Sequence, residues 1–214
     1  MDDNGVVNII GGTTLEPDIR PYLASIGFGE DTDGEQAKHR CGGALISPRA
    51  VLTAASCFDD DGAFDPYDWI DFNRYDLTSG LTGVDRRTLS PEEEDRNTDS
   101  QAYAIRHPDF NIETDDNDFA LIILKSPVDD DITPVELNDD AGIPADGNAL
   151  ETFGWGANDP ASVFGFPDLP QTVTLDYVPN DQCNQDWSFR NVTSNMICAS
   201  NDGKGVNCVG DRGM

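Results

Sequence analysis

Short apolar runs, each closed by a turn, limit this chain to a fold built from β-strands. Three such runs are residues 44–46, which precede Ser47-Pro48, residues 50–55 and residues 119–124. Apolar runs of this length between turn residues are typical of buried strands. No amphipathic stretch of helical period lasts for more than about three turns. The sequence therefore predicts an all-β protein.

One segment shows strand periodicity directly. Residues 171–178 alternate, with Val173, Leu175 and Tyr177 on one face and Thr172, Thr174 and Asp176 on the other. This period of two predicts a half-buried strand. Many short strands with frequent turns indicate a barrel or a sandwich. The 214 residues are enough for one large all-β domain or two small ones.

The charge of the chain excludes one class of partner. There are 41 acidic residues against 13 basic ones, which gives a formal net charge of −28. Because such a chain repels a phosphate backbone, no nucleic-acid partner is expected. The acids form short clusters between the apolar runs, among them Asp115-Asp116, and we interpret these clusters as solvated loop tips. No Asp-x-Asp-x-Asp-Gly loop with a distal Glu is present, so no metal site or cofactor is predicted, and calcium binding stays open.

The cysteines indicate a secreted protein. Five are present, at positions 41, 57, 183, 198 and 208. Their spacing fits no zinc motif such as Cys-x-x-Cys, whereas two pairs would close short hairpin loops as disulfides. Asn191-Val192-Thr193 is an acceptor sequence for N-glycosylation and agrees with secretion.

The chain contains no sequence typical of a membrane span. No stretch reaches the roughly 18 apolar residues that a span needs. The first residues, Met1-Asp2-Asp3-Asn4, form neither the basic nor the apolar part of a signal peptide. We therefore expect a secreted chain whose leader is absent from this sequence, and no membrane partner.

Six landmarks follow one another along the chain. They are Ile9-Ile10-Gly11-Gly12 with Pro21-Tyr22, His39-Arg40-Cys41-Gly42-Gly43-Ala44-Leu45-Ile46, Thr53-Ala54-Ala55-Ser56-Cys57, His107-Pro108-Asp109-Phe110 with Asn117-Asp118-Phe119-Ala120-Leu121-Ile122, Gly154-Trp155-Gly156, and Asn195-Met196-Ile197-Cys198-Ala199. In order and spacing they resemble the trypsin/chymotrypsin family of serine proteases. The resemblance implies two six-stranded antiparallel β-barrels with the active site in the crevice between them. It divides the chain into a propeptide-like extension (residues 1–8), a first barrel (9–132) and a second barrel (133–214).

The resemblance also assigns a catalytic triad, and two of its three positions are substituted. The chemistry needs a hydroxyl nucleophile, an imidazole that takes its proton and a carboxylate that orients the imidazole. Asp118 carries over to the carboxylate position. Ser56 stands at the histidine position, and Arg212, within Gly210-Asp211-Arg212-Gly213, stands at the serine position. Because a guanidinium is always protonated, Arg212 cannot act as a nucleophile.

A rearranged dyad, with Ser56 as nucleophile and another histidine as base, is the alternative. The chain has two histidines. His107 matches a structural His-Pro turn of the family. His39 precedes Cys41 and is expected to be a hydrogen-bonded structural residue with nothing to orient it as a base. We do not predict such a dyad.

Further positions depart from the family's pattern. Gly210 is present as an oxyanion donor, but the Arg212 side chain would project into that pocket. Ile9 and Asp211 match the pair that activation cleavage brings together, although Asn8 precedes Ile9 where activators require Arg or Lys. By spacing from Cys208, Val206 takes the base of the specificity pocket, so a preference for basic side chains is not supported.

The family's pairing implies the disulfides Cys41–Cys57 and Cys183–Cys198, and it leaves Cys208 unpaired. The family's last strands and terminal helix have no counterpart after residue 214. We therefore expect an incomplete second barrel.

Three hypotheses for the function follow. The first is a protease homologue that no longer cleaves and binds a protein or peptide in the crevice. The second is a secreted serine endopeptidase whose sequence is here incomplete or corrupted. The third is a non-functional fragment of a decaying gene.

Overall fold

The computed structural model describes residues 12–17, 20–28, 38–58, 69–90, 100–156, 167–186 and 191–200. Within them, eleven strands dominate: β1 Thr13–Thr14, β2 Leu23–Phe28, β3 Lys38–Ser47, β4 Ala50–Thr53, β5 Trp69–Phe72, β6 Asp85–Ser90, β7 Ala102–Arg106, β8 Ala120–Leu124, β9 Ala149–Gly154, β10 Gln171–Val178 and β11 Cys198–Ser200. A 3₁₀ turn, Ala55–Phe58, and one short helix, α1 Asn180–Asp186, complete the described elements. The prediction of an all-β protein is confirmed.

The first unit is a closed barrel with the strand order β2-β3-β4-β8-β7-β6-β5. The resemblance implied six antiparallel strands, whereas this barrel has seven strands and contains one parallel pair. β6 runs parallel to β7, with Leu89 opposite Ala102 and Ser90 opposite Tyr103. The sequence between these two strands is polar and without apolar anchors, and residues 91–99 lie outside the described part of the chain.

The barrel core is formed by the inward faces of its strands. Ile26, Leu45, Val51, Ile122 and Leu124 have no exposed surface. The prediction of a fully buried strand over residues 119–124 is wrong, because β8 alternates: Phe119 is 46% exposed and Leu121 is 36% exposed. A strand of an antiparallel barrel packs one face on the core and turns the other outward.

The second unit is a four-stranded sheet in which β10 lies between β9 and β11, and β1 also pairs with β10. The predicted alternation of β10 is confirmed, since Val173 and Leu175 are buried while Asp176 is exposed. The placement of β1 differs from the expected division of the chain. Thr13 lies opposite Thr172, so these amino-terminal residues belong to the second sheet and not to the first barrel.

The two units meet around Trp155, which is 1% exposed and packs with Leu15 and Leu23. The loop 73–84 of the first barrel reaches across this junction. Its Tyr75 donates a hydrogen bond of 2.6 Å to the Leu15 carbonyl and accepts one of 3.2 Å from the Trp155 indole N–H. Leu77 N–H donates to the carbonyl of Asp168 at 2.9 Å.

The structure contains both expected disulfides. Cys41–Cys57 ties β3 to the 3₁₀ turn, and Cys183–Cys198 ties α1 to β11. Among the described helices, none is long and apolar enough to cross a membrane.

Candidate active site

Ser56 is held by the short 3₁₀ turn that follows β4. The preceding Thr53 is buried, and its hydroxyl donates to the Gly42 carbonyl at 2.7 Å. The following Cys57 donates its N–H to the Ala54 carbonyl at 3.3 Å and is bonded to Cys41. Ser56 is therefore fixed on both sides, by β4 and by a disulfide.

Asp118 lies immediately before β8 and faces Ser56. Asn117, with a φ of 56°, turns the chain just before it, and Phe119 N–H donates to the Asn117 carbonyl at 2.7 Å. The Asp118 carboxylate accepts two hydrogen bonds from Ser56. The backbone N–H donates to Oδ1 at 2.7 Å, and the side-chain hydroxyl donates to Oδ2 at 2.8 Å. The structure thus brings together Asp118 and Ser56, the residues that the resemblance assigns to the carboxylate and histidine positions.

A hydroxyl bonded in this way differs chemically from an imidazole. An imidazole that donates one N–H to a carboxylate keeps a second nitrogen free to accept a proton, and that nitrogen is the general base. Ser56 offers only a hydroxyl oxygen, which is not a useful proton acceptor at neutral pH. If Ser56 were itself the nucleophile, its proton would pass to a carboxylate, which is a weaker base than imidazole.

His39 is engaged elsewhere. It is 2% exposed, and its Nδ1 lies 2.7 Å from the Ser25 hydroxyl. Its ring packs on Trp155, with the ring centroids 5.3 Å apart. The expectation of a hydrogen-bonded structural histidine is confirmed. His107 stands in an exposed turn, where its Nδ1 accepts a hydrogen bond of 3.2 Å from Asp109 N–H.

Several residues assigned by resemblance lie outside the described residues. They are Ile9, Val206, Cys208, Gly210, Asp211 and Arg212. Their roles in activation, in the specificity pocket, in oxyanion binding and at the nucleophile position stay predictions. Asn191 is described and is exposed. Within the described residues, no three or more His, Cys, Asp or Glu side chains are grouped so that they would hold a metal ion.

A contact between the units beside Asp118 was not foreseen. The Thr193 hydroxyl donates to Asp116 Oδ1 at 2.6 Å, and Asn195 Nδ2 lies 3.3 Å from the same oxygen. Asn195 also donates to Asn117 Oδ1 at 3.1 Å. The interpretation of Asp115-Asp116 as a solvated loop tip is therefore wrong for Asp116, because its carboxylate accepts hydrogen bonds from the second unit.

The hydrogen bond from Thr193 is the main reason that the pKa of Asp116 lies below its ordinary value. Burial opposes this shift, while Asn195, the Asn117 N–H and the charge of His107 add to it. No local pattern identifies this contact, since Asp116 and Thr193 are 77 residues apart in the chain.

The closed barrel and the second sheet define a chymotrypsin-like fold, in which Ser56 and Asp118 form a hydrogen-bonded pair. The trypsin family model matches residues 9–213, and the chain belongs to this family. It is 30% identical to kallikrein-1 of Mus musculus over 219 residues, covering 96% of this chain and 73% of that protein. It is 31% identical to anionic trypsin of Canis lupus familiaris over 206 residues, covering 96% and 72%. The structure of neuropsin, a serine protease expressed in the limbic system of mouse brain, is similar in fold, with a TM-score of 0.71 at 23% identity over 94% of this chain and 79% of that one.

Proposed function

We propose that this chain is a catalytically inactive member of the trypsin family that acts by binding a protein or peptide in the crevice between its two units. One observation carries the proposal. The position of the general base holds Ser56, whose hydroxyl donates a hydrogen bond of 2.8 Å to Asp118. A trypsin-like mechanism needs a proton acceptor there, and this side chain supplies a donor.

The expected loss of rate is large. In subtilisin, removal of the serine or the histidine alone lowers turnover by about a millionfold, nearly as much as removal of all three residues. In this chain the base position and, by sequence, the nucleophile position are both substituted. What remains is at best the contribution of substrate binding and of an oxyanion site.

The place of action that fits this proposal is extracellular. Two disulfides, each closing a short loop, are typical of proteins folded in an oxidising compartment. The similarity of the chain to a kallikrein and to a trypsin agrees with this inference.

The test of inactivity is labelling with a fluorophosphonate probe, which modifies an activated serine covalently. We expect no labelling of the purified protein under conditions that label an active trypsin to completion. Labelling that disappears in a Ser56→Ala variant would identify Ser56 as a working nucleophile and would contradict the proposal. Labelling that survives in that variant would support the alternative, a secreted serine endopeptidase.

The test of binding uses peptides displayed on phage. We expect selected peptides to bind the wild type and to lose binding to a Ser56→Trp variant, whose indole fills the space beside Asp118. A matched control is Ile143→Lys, a change at a residue that is 54% exposed and lies outside the Ser56–Asp118 pair. Equal loss in both variants, or no selectable peptide, would contradict crevice binding.

A further inference from the structure

The sequence contains one N-glycosylation acceptor, Asn191-Val192-Thr193, and the structure places it between α1 and β11. Asn191 is exposed, and the segment has no regular secondary structure. The amide of Asn184 holds the middle residue on both sides: Val192 N–H donates to Asn184 Oδ1 at 2.7 Å, and Asn184 Nδ2 donates to the Val192 carbonyl at 2.9 Å. The side chain of Asn191 therefore stands in solvent on a fixed backbone.

The third member of the acceptor sequence is engaged in the fold. The Thr193 hydroxyl donates to Asp116 Oδ1 at 2.6 Å, across the junction between the two units. A glycosylating enzyme recognises the asparagine together with this threonine. In the folded chain the hydroxyl already has an acceptor and the backbone of Val192 is held on both sides, so the acceptor sequence is less accessible than in an unfolded chain.

We propose that Asn191 carries an N-linked oligosaccharide, attached before the two units dock, and that the Asp116–Thr193 contact then closes the acceptor sequence. In the transfer, Asn191 Nδ2 forms a bond to the anomeric carbon of a lipid diphosphate-linked oligosaccharide. The bond from that carbon to the diphosphate oxygen breaks, the diphosphate leaves with the electron pair, and the amide nitrogen releases one proton. The proposal rests on passage through a secretory compartment, as inferred above.

The first experiment tests the modification itself. The chain is expressed behind a secretory leader in insect cells, and cell-associated and secreted material are both collected, so that a failure of secretion is distinguished from a failure of glycosylation. Intact mass is measured before and after peptide N-glycosidase F. We expect the enzyme to remove one oligosaccharide per chain, none from Asn191→Gln, and one from the control Asn195→Gln, because Asn195 begins no acceptor sequence. An unmodified mass of the wild-type chain in both fractions overturns the proposal.

The second experiment tests the order of events. Unglycosylated protein, produced in bacteria and refolded, is offered to purified oligosaccharyltransferase with its lipid-linked donor. We expect the folded chain to react about tenfold more slowly than the reduced, unfolded chain, as loss of access to one hydrogen-bonded hydroxyl implies. Asp116→Ala should speed the reaction of the folded chain, whereas Asp139→Ala, a change in an exposed loop, should not. Equal rates for the folded and unfolded chains would show that docking does not close the acceptor sequence.

Discussion

Ser56 supplies the hydrogen bonds that the Asp118 carboxylate would otherwise accept from an imidazole. With both a backbone N–H and a hydroxyl directed at Asp118, the pair is stable without a histidine. A half-buried carboxylate that lost these donors would incur a desolvation cost, which the serine avoids. A serine at this position therefore maintains the local structure but supplies no proton acceptor of the kind an imidazole offers.

This role predicts the effect of truncating the side chain. Ser56→Ala removes the 2.8 Å hydrogen bond to Asp118 and leaves the one from the backbone N–H. We expect a loss of about 1 kcal/mol in the free energy of unfolding, measured by urea denaturation. The control is Ser56→Thr, which retains a hydroxyl and should lose less. If the two variants are equally destabilised, the hydroxyl does not stabilise the pair.

At the scale of single elements, the loop 73–84 is fastened to the first barrel by a buried ion cluster. Asp71 on β5 has no exposed surface and accepts hydrogen bonds from Arg74 and Arg86, each at 2.7 Å. Arg74 also donates a hydrogen bond of 2.8 Å to the Leu77 carbonyl. Both guanidinium groups lie near the Trp69 ring, at 5.8 Å and 4.4 Å from its centroid. Because this loop also contacts the second unit, the cluster supports the junction.

Removing the charge at the centre of this cluster should be costly. Asp71→Asn leaves two guanidinium groups facing a neutral amide at a buried position on the outer face of β5. We expect a loss of about 3–5 kcal/mol in the free energy of unfolding. The measurement is unfolding by denaturant, and one variant of a partly exposed ion pair serves as the comparison.

The comparison is Glu151→Gln, which breaks the partly exposed ion pair between Arg20 and Glu151. Surface pairs contribute about 0–1 kcal/mol, so this variant should remain close to wild type. A similar loss in the two variants would mean that burial of Asp71 does not determine the effect.

At the scale of the whole molecule, two groups of contacts among the described residues stand out between the two units. One is the apolar cluster around Trp155, and the other is the contact of Asp116 with Thr193 and Asn195. The second contact lies two residues before Asp118, so it also fixes the loop that carries Asp118 against the second unit. Unlike the apolar cluster around Trp155, the Asp116 contact involves a charged group.

The Asp116 contact predicts a dependence on pH. The pKa of Asp116 is lowered in the folded chain, chiefly by the Thr193 hydroxyl, so the folded state favours the charged carboxylate. Its stabilising effect is fully present above the ordinary carboxyl pKa of 3.8 and is lost as the pH falls through the lower folded value. Thermal unfolding of the wild type and of Asp116→Asn, followed from neutral to acid pH, should therefore show a difference that shrinks below about pH 4.

A control for this measurement is Asp139→Asn, which changes a carboxylate in an exposed loop of the same chain. Its difference from the wild type should not change in the same range of pH. If Asp116→Asn keeps a constant difference down to the most acid conditions, the contact does not depend on the ionised carboxylate.

The family, the all-β class and the meeting of Ser56 with Asp118 could be predicted from the amino-acid sequence. These follow from local patterns: turn-bounded apolar runs, strand alternation, and short motifs in a fixed order. A motif such as Asn117-Asp118 before an apolar strand identifies its place in the fold without knowledge of the rest. Cysteine positions likewise identified the two disulfides through the family resemblance.

Which distant groups meet could not be predicted from the sequence, because it depends on how the whole chain folds. The parallel pairing of β6 with β7, the crossing of β1 to the second sheet and the contact of Asp116 with Thr193 were not predicted. The burial of Asp71 was not predicted either. In the sequence it is one of 41 acidic residues, whereas in the fold it is buried and bonded to two arginines. Local patterns report which face of a strand is apolar, but the partner of a polar side chain depends on how the whole chain closes, because hydrogen bonds and ion pairs act over a few ångströms.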